Sequence, residues 1–125
     1  MHTSIEVILP RPLGTTNTTT LEDYMNRLQI LRKARQVEGY LNCKLFVQEV
    51  LSLPKINNAP KVPLRQLQVG YVLQFLNGLH YAIYLGENDV IEVEGWGEKP
   101  RLNKLSTLIE EYELPTVLKT YTTGG

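Results

Sequence analysis

One cysteine, two histidines and a pair of closely spaced glutamates are the side chains of this sequence best suited to covalent chemistry. Cys43 stands in "YLNCKLFVQEVL" (40–51), one residue after Asn42. Asparagine is a good helix N-cap, so Cys43 falls in the first turn of a helix. There the positive end of the helix dipole lowers a thiol's pKa and enriches the reactive thiolate. Val47 and Val50 follow at four and seven residues, so Cys43 also shares an apolar face on which a small buried thiol is ordinary filler. His80 opens the run "HYAIYLG" (80–86), and Glu92 and Glu94 lie on the returning run "DVIEVEG" (89–95). An imidazole that takes the thiol proton, with a polar group holding its other nitrogen, turns a cysteine into a nucleophile. Singly, His80 is an ordinary strand-end histidine and the glutamates a solvated strand face. In this order the residues compose a cysteine–histidine–carboxylate set.

The elements that must position these groups are readable in outline. "SIEVILP" (4–10) alternates as a short strand closed by Pro10 and Pro12, and "LGTTNTTT" (13–20) reads as a flexible connection. Thr20 is an N-cap, with Asp23 three residues on completing a weak capping box. Leu21, Tyr24, Met25, Leu28, Leu31 and Ala34 then recur at helical spacing up to the stop at Gly39. This predicts a core-facing helix over 21–38, a partner-binding stripe being the other use of the same face. The second helix starts at Cys43 and ends at Leu53-Pro54, since proline disfavours helical geometry in the residue before it.

After a loop rich in proline and asparagine come four strand-like runs, "YVLQFL" (71–76), "HYAIYLG", "DVIEVEG" and "PTVLKTY" (115–121). "GEND" is a tight turn that makes a hairpin of 80–95, and Ser106 caps a helical turn over "TLIEEYE". Helix, helix, then antiparallel sheet argues for an α+β fold, N-terminal helices packed on a small antiparallel sheet. With a loop at 87–89, residue 84 faces 92 and residue 82 faces 94. Both glutamates then share the face of His80, with Glu94 nearer; a bulge or strong twist brings Glu92 into its place.

Composition narrows the setting. The 125 residues suit one domain, 1–125, with a strand and threonine-rich lead-in over 1–20. Thirteen basic residues balance thirteen acidic ones, which gives no electrostatic reason to expect nucleic acid or a membrane surface as partner. One cysteine makes no internal disulfide, and with two histidines there is no tetrahedral zinc set. No metal and no cofactor is expected. "MHTSIEVILPRPLG" is a poor secretory signal, and no window of eighteen uncharged apolar residues spans a bilayer. The expectation is a cytoplasmic protein as encoded, with phage-type or other non-classical release the route to any external substrate.

Two blocks carry a family resemblance. "NCKLFVQEVL" looks like "DCSGLVQYVY", and "LQVGYVLQFLNGLHYAIYLGENDVIEV" looks like "LKPGDLVFF…HVGIYLGNGKMIHA", with Gly70, Phe75, His80, Ile83, Tyr84, Leu85, Gly86 and Ile91 in step. The two patterns so resembled are those of the papain-like cysteine peptidases of the NlpC/p60 family, which cleave peptidoglycan stem peptides. The chain resembles that family over 40–51 and 67–93, under a third of its length. The resemblance implies a papain-like domain in which Cys43 is the nucleophile, His80 the general base, and Glu92, twelve residues after the base, the third member, with Glu94 as understudy. It implies a peptide or cell-wall fragment as substrate. Asn42, the Lys44-Leu45 pair and Tyr71 depart from the family pattern.

Around the nucleophile, the backbone N–H of Cys43 is the favoured oxyanion donor. Tyr40, Asn42, Lys44 and Trp96 are the further oxyanion or substrate candidates, Lys44 also favouring the thiolate by its charge. Trp96 reads equally as a groove-lining or a packing residue, and "TYTTGG" (120–125) as a frayed terminus. Two other readings stay open. One is a binding module that kept the fold and lost the activity, and the other a transferase or deamidase acting on a protein target.

Overall fold

The computed structural model describes residues 7–8, 18–37 and 41–120. Pro10, Pro12, Gly39, Tyr40 and the final five residues lie outside the described residues. Strands β1 (Val7–Ile8) and β2 (Thr18–Thr19) pair antiparallel, so the end of the threonine-rich stretch read as a connection is a strand. Helix α1 (Leu21–Gln36) and helix α2 (Cys43–Leu51) follow. Strands β3 (Lys61–Val62), β4 (Val72–Phe75), β5 (His80–Gly86), β6 (Asp89–Glu92) and β7 (Arg101–Lys104) lead to helix α3 (Leu105–Tyr112) and strand β8 (Thr116–Leu118). Strands β3 to β8 form a six-stranded antiparallel sheet in the order β3-β8-β4-β5-β6-β7. With three helices among the described residues the fold is α+β. None of these helices is long and apolar enough to cross a membrane.

Side-chain alternation along β5 sorts the core into two layers. Tyr81, Ile83 and Leu85 pack with Ile30, Ala34, Phe46, Val47, Val50 and Leu51 of α1 and α2. Ala82 and Tyr84 face the other way, into Leu105 and Leu108 of α3. The sheet is thus covered on both faces, and a histidine in step with Ala82 points to the α3 side.

Helix α1 carries the expected capping box, Thr20 Oγ1 accepting from Asp23 N–H at 3.1 Å while Asp23 accepts from Thr20 N–H at 3.3 Å. Its predicted core face is only partly right. Ile30 and Ala34 are buried, but Leu21, Met25 and Leu28 are exposed. The N-terminal half of α1 is held by polar contacts instead. Arg27 donates to Asp89 at 2.9 Å and to the Leu85 carbonyl at 3.2 Å, and Tyr24 donates to Glu87 at 3.4 Å. These anchors rotate the 21/25/28 stripe toward water.

The hairpin turn departs from the predicted three-residue loop. Glu87 and Asn88 form a two-residue turn with φ of 55° and 65°, and a register shift between Tyr84 and Gly86 makes a bulge at Leu85. Asn88 also does the capping expected of Ser106, which lies inside α3. Its Oδ1 accepts from Ser106 N–H at 3.1 Å, and its carbonyl accepts from Leu105 N–H at 2.8 Å. Asn88→Ala loses the side-chain cap and places a Cβ residue in left-handed backbone that suits asparagine; a loss of about 1–2 kcal/mol in urea unfolding is expected. Asn88→Gly loses the cap but not the backbone freedom, so it is expected to lose less.

Candidate functional site

The site lies where β6 leaves the sheet. Glu92, the last residue of β6, pairs with Ala82, so β5 has no neighbour on that side beyond it. Tyr84 exchanges hydrogen bonds with Gly70 and Tyr71 on the β4 side. Strand alternation therefore turns the Tyr81 N–H and the Leu79 carbonyl toward the side β6 has vacated. The first turn of α2 fills that place. Cys43 Sγ lies 3.8 Å from the Leu79 carbonyl oxygen, to which it donates while protonated, and accepts from the Tyr81 N–H. A strand edge that would otherwise hold two unsatisfied backbone groups becomes the seat of the thiol.

Asn42 sets the start of α2, its Oδ1 accepting from Leu45 N–H at 2.8 Å. Its side chain is thereby used as a cap. The Lys44 N–H bonds the sulfur, so Lys44 supports a thiolate through its backbone. The N–H of Cys43 belongs to the first helical turn, where donors have no intrahelical partner.

His80 and Glu92 come together on the α3 side. The two-residue turn and the bulge at Leu85, each shifting the register by one, together move Glu92 from its expected place opposite residue 84 to one opposite Ala82, on the face and within reach of His80. His80 Nε2 lies 2.5 Å from Glu92 Oε1, both side chains buried, with Glu92 only 1% exposed. Nδ1 is left for the thiol, with which His80 shares a hydrogen bond. The other carboxylate oxygen of Glu92 accepts from Asn103 Nδ2 at 2.8 Å and from Arg101 Nε at 3.1 Å. Glu94, half-exposed, pairs with the other arm of the Arg101 guanidinium. It lies one shell out from the imidazole. The Tyr112 ring, from the end of α3, stacks on His80 with centroids 4.9 Å apart and planes at 27°, and Phe75 adds a tilted contact at 6.1 Å. An aromatic face at that distance favours the imidazolium.

The electrostatics follow. Burial alone raises the Cys43 pKa, but the hydrogen bonds from His80, Tyr81 N–H and Lys44 N–H and the charge of His80 outweigh it and hold the thiol below its ordinary value. Burial lowers the His80 pKa, yet its bonds to Cys43 and Glu92 and their charges push it up to about 9. Glu92 is raised by burial but held below its ordinary value by His80, Asn103 and Arg101. Between the lowered thiol pKa and about 9, the stable pair is thiolate–imidazolium.

Cys43, His80 and Glu92 are thus gathered at one place, with Asn42 serving as a cap, Lys44 through its backbone and Glu94 as a partner of Arg101. Trp96, 64% exposed in the loop between β6 and β7, is not a packing residue. Tyr40 lies outside the described residues. Four participants had no sequence signal as site residues: Arg101 and Asn103 on a strand of polar composition, Tyr112 at a helix end, and the Leu79 carbonyl.

Linkage gives a prediction. A carboxylate held below its unfolded value adds stability that is present above that value and is lost as pH falls through the folded one. Melting temperature is expected to fall as pH drops below about 4.5, the ordinary glutamate value. In Glu92→Gln that acid limb is expected to be shallower. From about 6.5 to 9 the terms of His80 and Cys43 run in opposite directions, the first losing and the second gaining stability as pH rises.

Comparison with protein-family models and with curated proteins finds no match.

Proposed function

We propose that this protein is a cysteine hydrolase of amide bonds, built on a papain-like domain of the NlpC/p60 type. The observation that carries the reading is the chain from thiol to imidazole to buried carboxylate: Cys43, His80 and Glu92, closed by Asn103 and Arg101. A merely structural cysteine needs no protonated histidine beside it, and a merely structural histidine needs no buried anion.

In the reaction, the Cys43 thiolate attacks the scissile carbonyl and the imidazolium of His80 gives its proton to the departing amine. Water, deprotonated by His80, then hydrolyses the acyl-thioester and returns the thiol. The Cys43 N–H, at the positive end of α2, holds the oxyanion. Glu92 keeps the imidazole ring oriented and charged, Asn103 and Arg101 hold Glu92, and the Tyr112 ring covers the pair from water. A peptidoglycan stem peptide is the substrate class that the resemblance implies.

The test is mass spectrometry of stem peptides after incubation with the protein and with Cys43→Ala. New amine and carboxyl ends made only by the native protein are expected. Transfer of the acyl group to an added amine, or loss of a glutamine amide without chain cleavage, replaces hydrolysis by a transferase or deamidase reaction at the same thiol. Unaltered activity in Cys43→Ala overturns the reading.

A further inference from the structure

Strand β7 is the edge of the sheet beyond β6, and nothing among the described residues pairs with its outer side. Its register with β6 fixes what that side offers. Leu105 N–H donates to the Asn88 carbonyl at 2.8 Å, so by alternation Asn103 and Arg101 turn their backbone groups to β6. Leu102 therefore turns its N–H and its carbonyl to the open side. The next outward N–H, that of Lys104, is taken by Asn103 Oδ1 at 2.8 Å, so the open stretch centres on Leu102.

The side chain of Leu102 adds a groove to that edge. It stands opposite Ile91, on the α1 face of the sheet, and is 57% exposed. Arg101 and Asn103 point to the other face, where they hold Glu92. Between Leu102 and α1 lies a cleft of about 420 Å³, its apolar lining supplied chiefly by Leu31, Ala34, Ile91, Pro100 and Leu102. Leu28, exposed and three residues before Leu31, continues the apolar stripe along α1. The charged lining is Arg35 and Lys99, and no acidic side chain lines the cleft. Neither cation has an ionic partner among the described residues, whereas Arg101 and Lys104 are tied to Glu92, Glu94 and Asp89.

We propose that this edge docks an extended acidic segment of a partner protein, which adds a strand beside β7. The occupant carries an apolar side chain over Leu102 and a carboxylate two residues along. Period-two alternation puts both on the α1 face, one in the cleft and the other at Arg35 or Lys99. A second copy of this chain is the poorer occupant, because its own β7 brings the same uncompensated cations to the contact. The groove lies across the sheet from the Glu92 carboxylate, so docking is read as binding, independently of the reaction.

The test is fluorescence polarisation with a fluorescein-labelled peptide repeating threonine-valine-threonine-glutamate, in which valine and glutamate share one face. Its counterparts replace glutamate by lysine, replace valine by serine, or carry N-methyl groups on one alternate set of amides or the other. The proteins are the native chain, Leu102→Ser and Lys99→Glu, each with a melting curve. The native protein is expected to bind the first peptide about tenfold tighter than its lysine or serine counterpart. N-methylation of one alternate set is expected to remove that binding and N-methylation of the other to leave it, since only one set faces β7. Both variants change exposed side chains and keep the fold, and each is expected to weaken binding roughly three- to tenfold. No binding of the first peptide by the native protein overturns the proposal. So does binding that either variant leaves unchanged, or that both N-methylated peptides keep. Self-association of the native protein that Leu102→Ser abolishes gives the edge to a second copy, and overturns it as well. Each of these outcomes leaves the hydrolase reading where it stood.

Discussion

His80→Ala is expected to slow alkylation of Cys43 by iodoacetamide on the order of tenfold at pH 7, and by more at pH 6. The argument starts from what the sulfur retains in the variant. Burial still raises its pKa, and the N–H groups of Tyr81 and Lys44 still favour the thiolate. What is lost is the hydrogen bond and charge of the imidazolium. An ordinary thiol, with pKa near 8.5, is only about 3% ionised at pH 7, and that fraction falls about tenfold for each unit below. A thiol held as thiolate by a neighbouring cation keeps its reactivity across that range, discounted because a less basic sulfur is a weaker nucleophile.

The upper limb separates two roles of His80. Alkylation needs only the thiolate, so in the native protein it is expected to stay level as pH passes 9. Amide hydrolysis also needs a proton for the leaving amine, so it is expected to decline as the imidazolium is lost at about 9. A level alkylation profile beside a falling hydrolysis profile identifies His80 as acid as well as electrostatic partner. A native thiol that titrates as an ordinary cysteine, with no change in His80→Ala, sinks the pair. So does a thiol that reacts only after unfolding. The variant keeps its Glu92 contacts to Asn103 and Arg101, and a melting curve checks that the two proteins compared are both folded.

How much of this was legible in the sequence follows from which signals are local. Thr20 and Asn42 announce the starts of α1 and α2 because capping is settled within three residues. Alternation of apolar and β-branched residues announces β4, β5 and β6. By contrast "RLNK" has no apolar alternation, and β7 exists because β6 offers it an open edge. The bulge at Leu85 is invisible for another reason. Leu85 is buried like its neighbours, and nothing in "YLGEND" tells a three-residue loop from a two-residue turn with a bulge before it. The same limit applies to α1, where Met25 and Leu28 have helical spacing but Arg27 decides which face meets the sheet. The choice between Glu92 and Glu94 therefore hung on backbone geometry one turn away from either residue. Arg101 and Asn103 were out of reach altogether, since their contribution depends on a strand that the sequence does not advertise.

That dependence makes Glu92→Gln the most demanding test of the arrangement. The native carboxylate accepts on both oxygens: His80 Nε2 at one, Asn103 Nδ2 and Arg101 Nε at the other. A glutamine of the same shape has one acceptor oxygen and one donor nitrogen. If the NH2 faces Asn103 and Arg101, two donors meet a donor, one of them charged. If it faces His80, Nε2 must lose its proton and accept, which puts the proton on Nδ1, where a neutral imidazole then faces the sulfur as donor rather than as base. Neither orientation satisfies the buried set, and a buried donor left unmet costs about 1–3 kcal/mol. The same loss removes the anion that keeps His80 charged, so the His80 pKa falls from about 9 and the thiolate loses its partner. The expected result is a drop in hydrolysis of about 10²–10⁴-fold, the range in which a nucleophile's base is held in the wrong tautomer. Arg101→Met removes one donor from the far side of Glu92 and leaves the His80 contact in place, so its loss is expected to be far smaller. Measuring kcat, the pH profile of Cys43 alkylation and urea unfolding on both variants separates the two contributions. If Glu92→Gln keeps native activity and a native alkylation profile, the carboxylate serves only to fill the core, and the imidazole draws its charge from elsewhere.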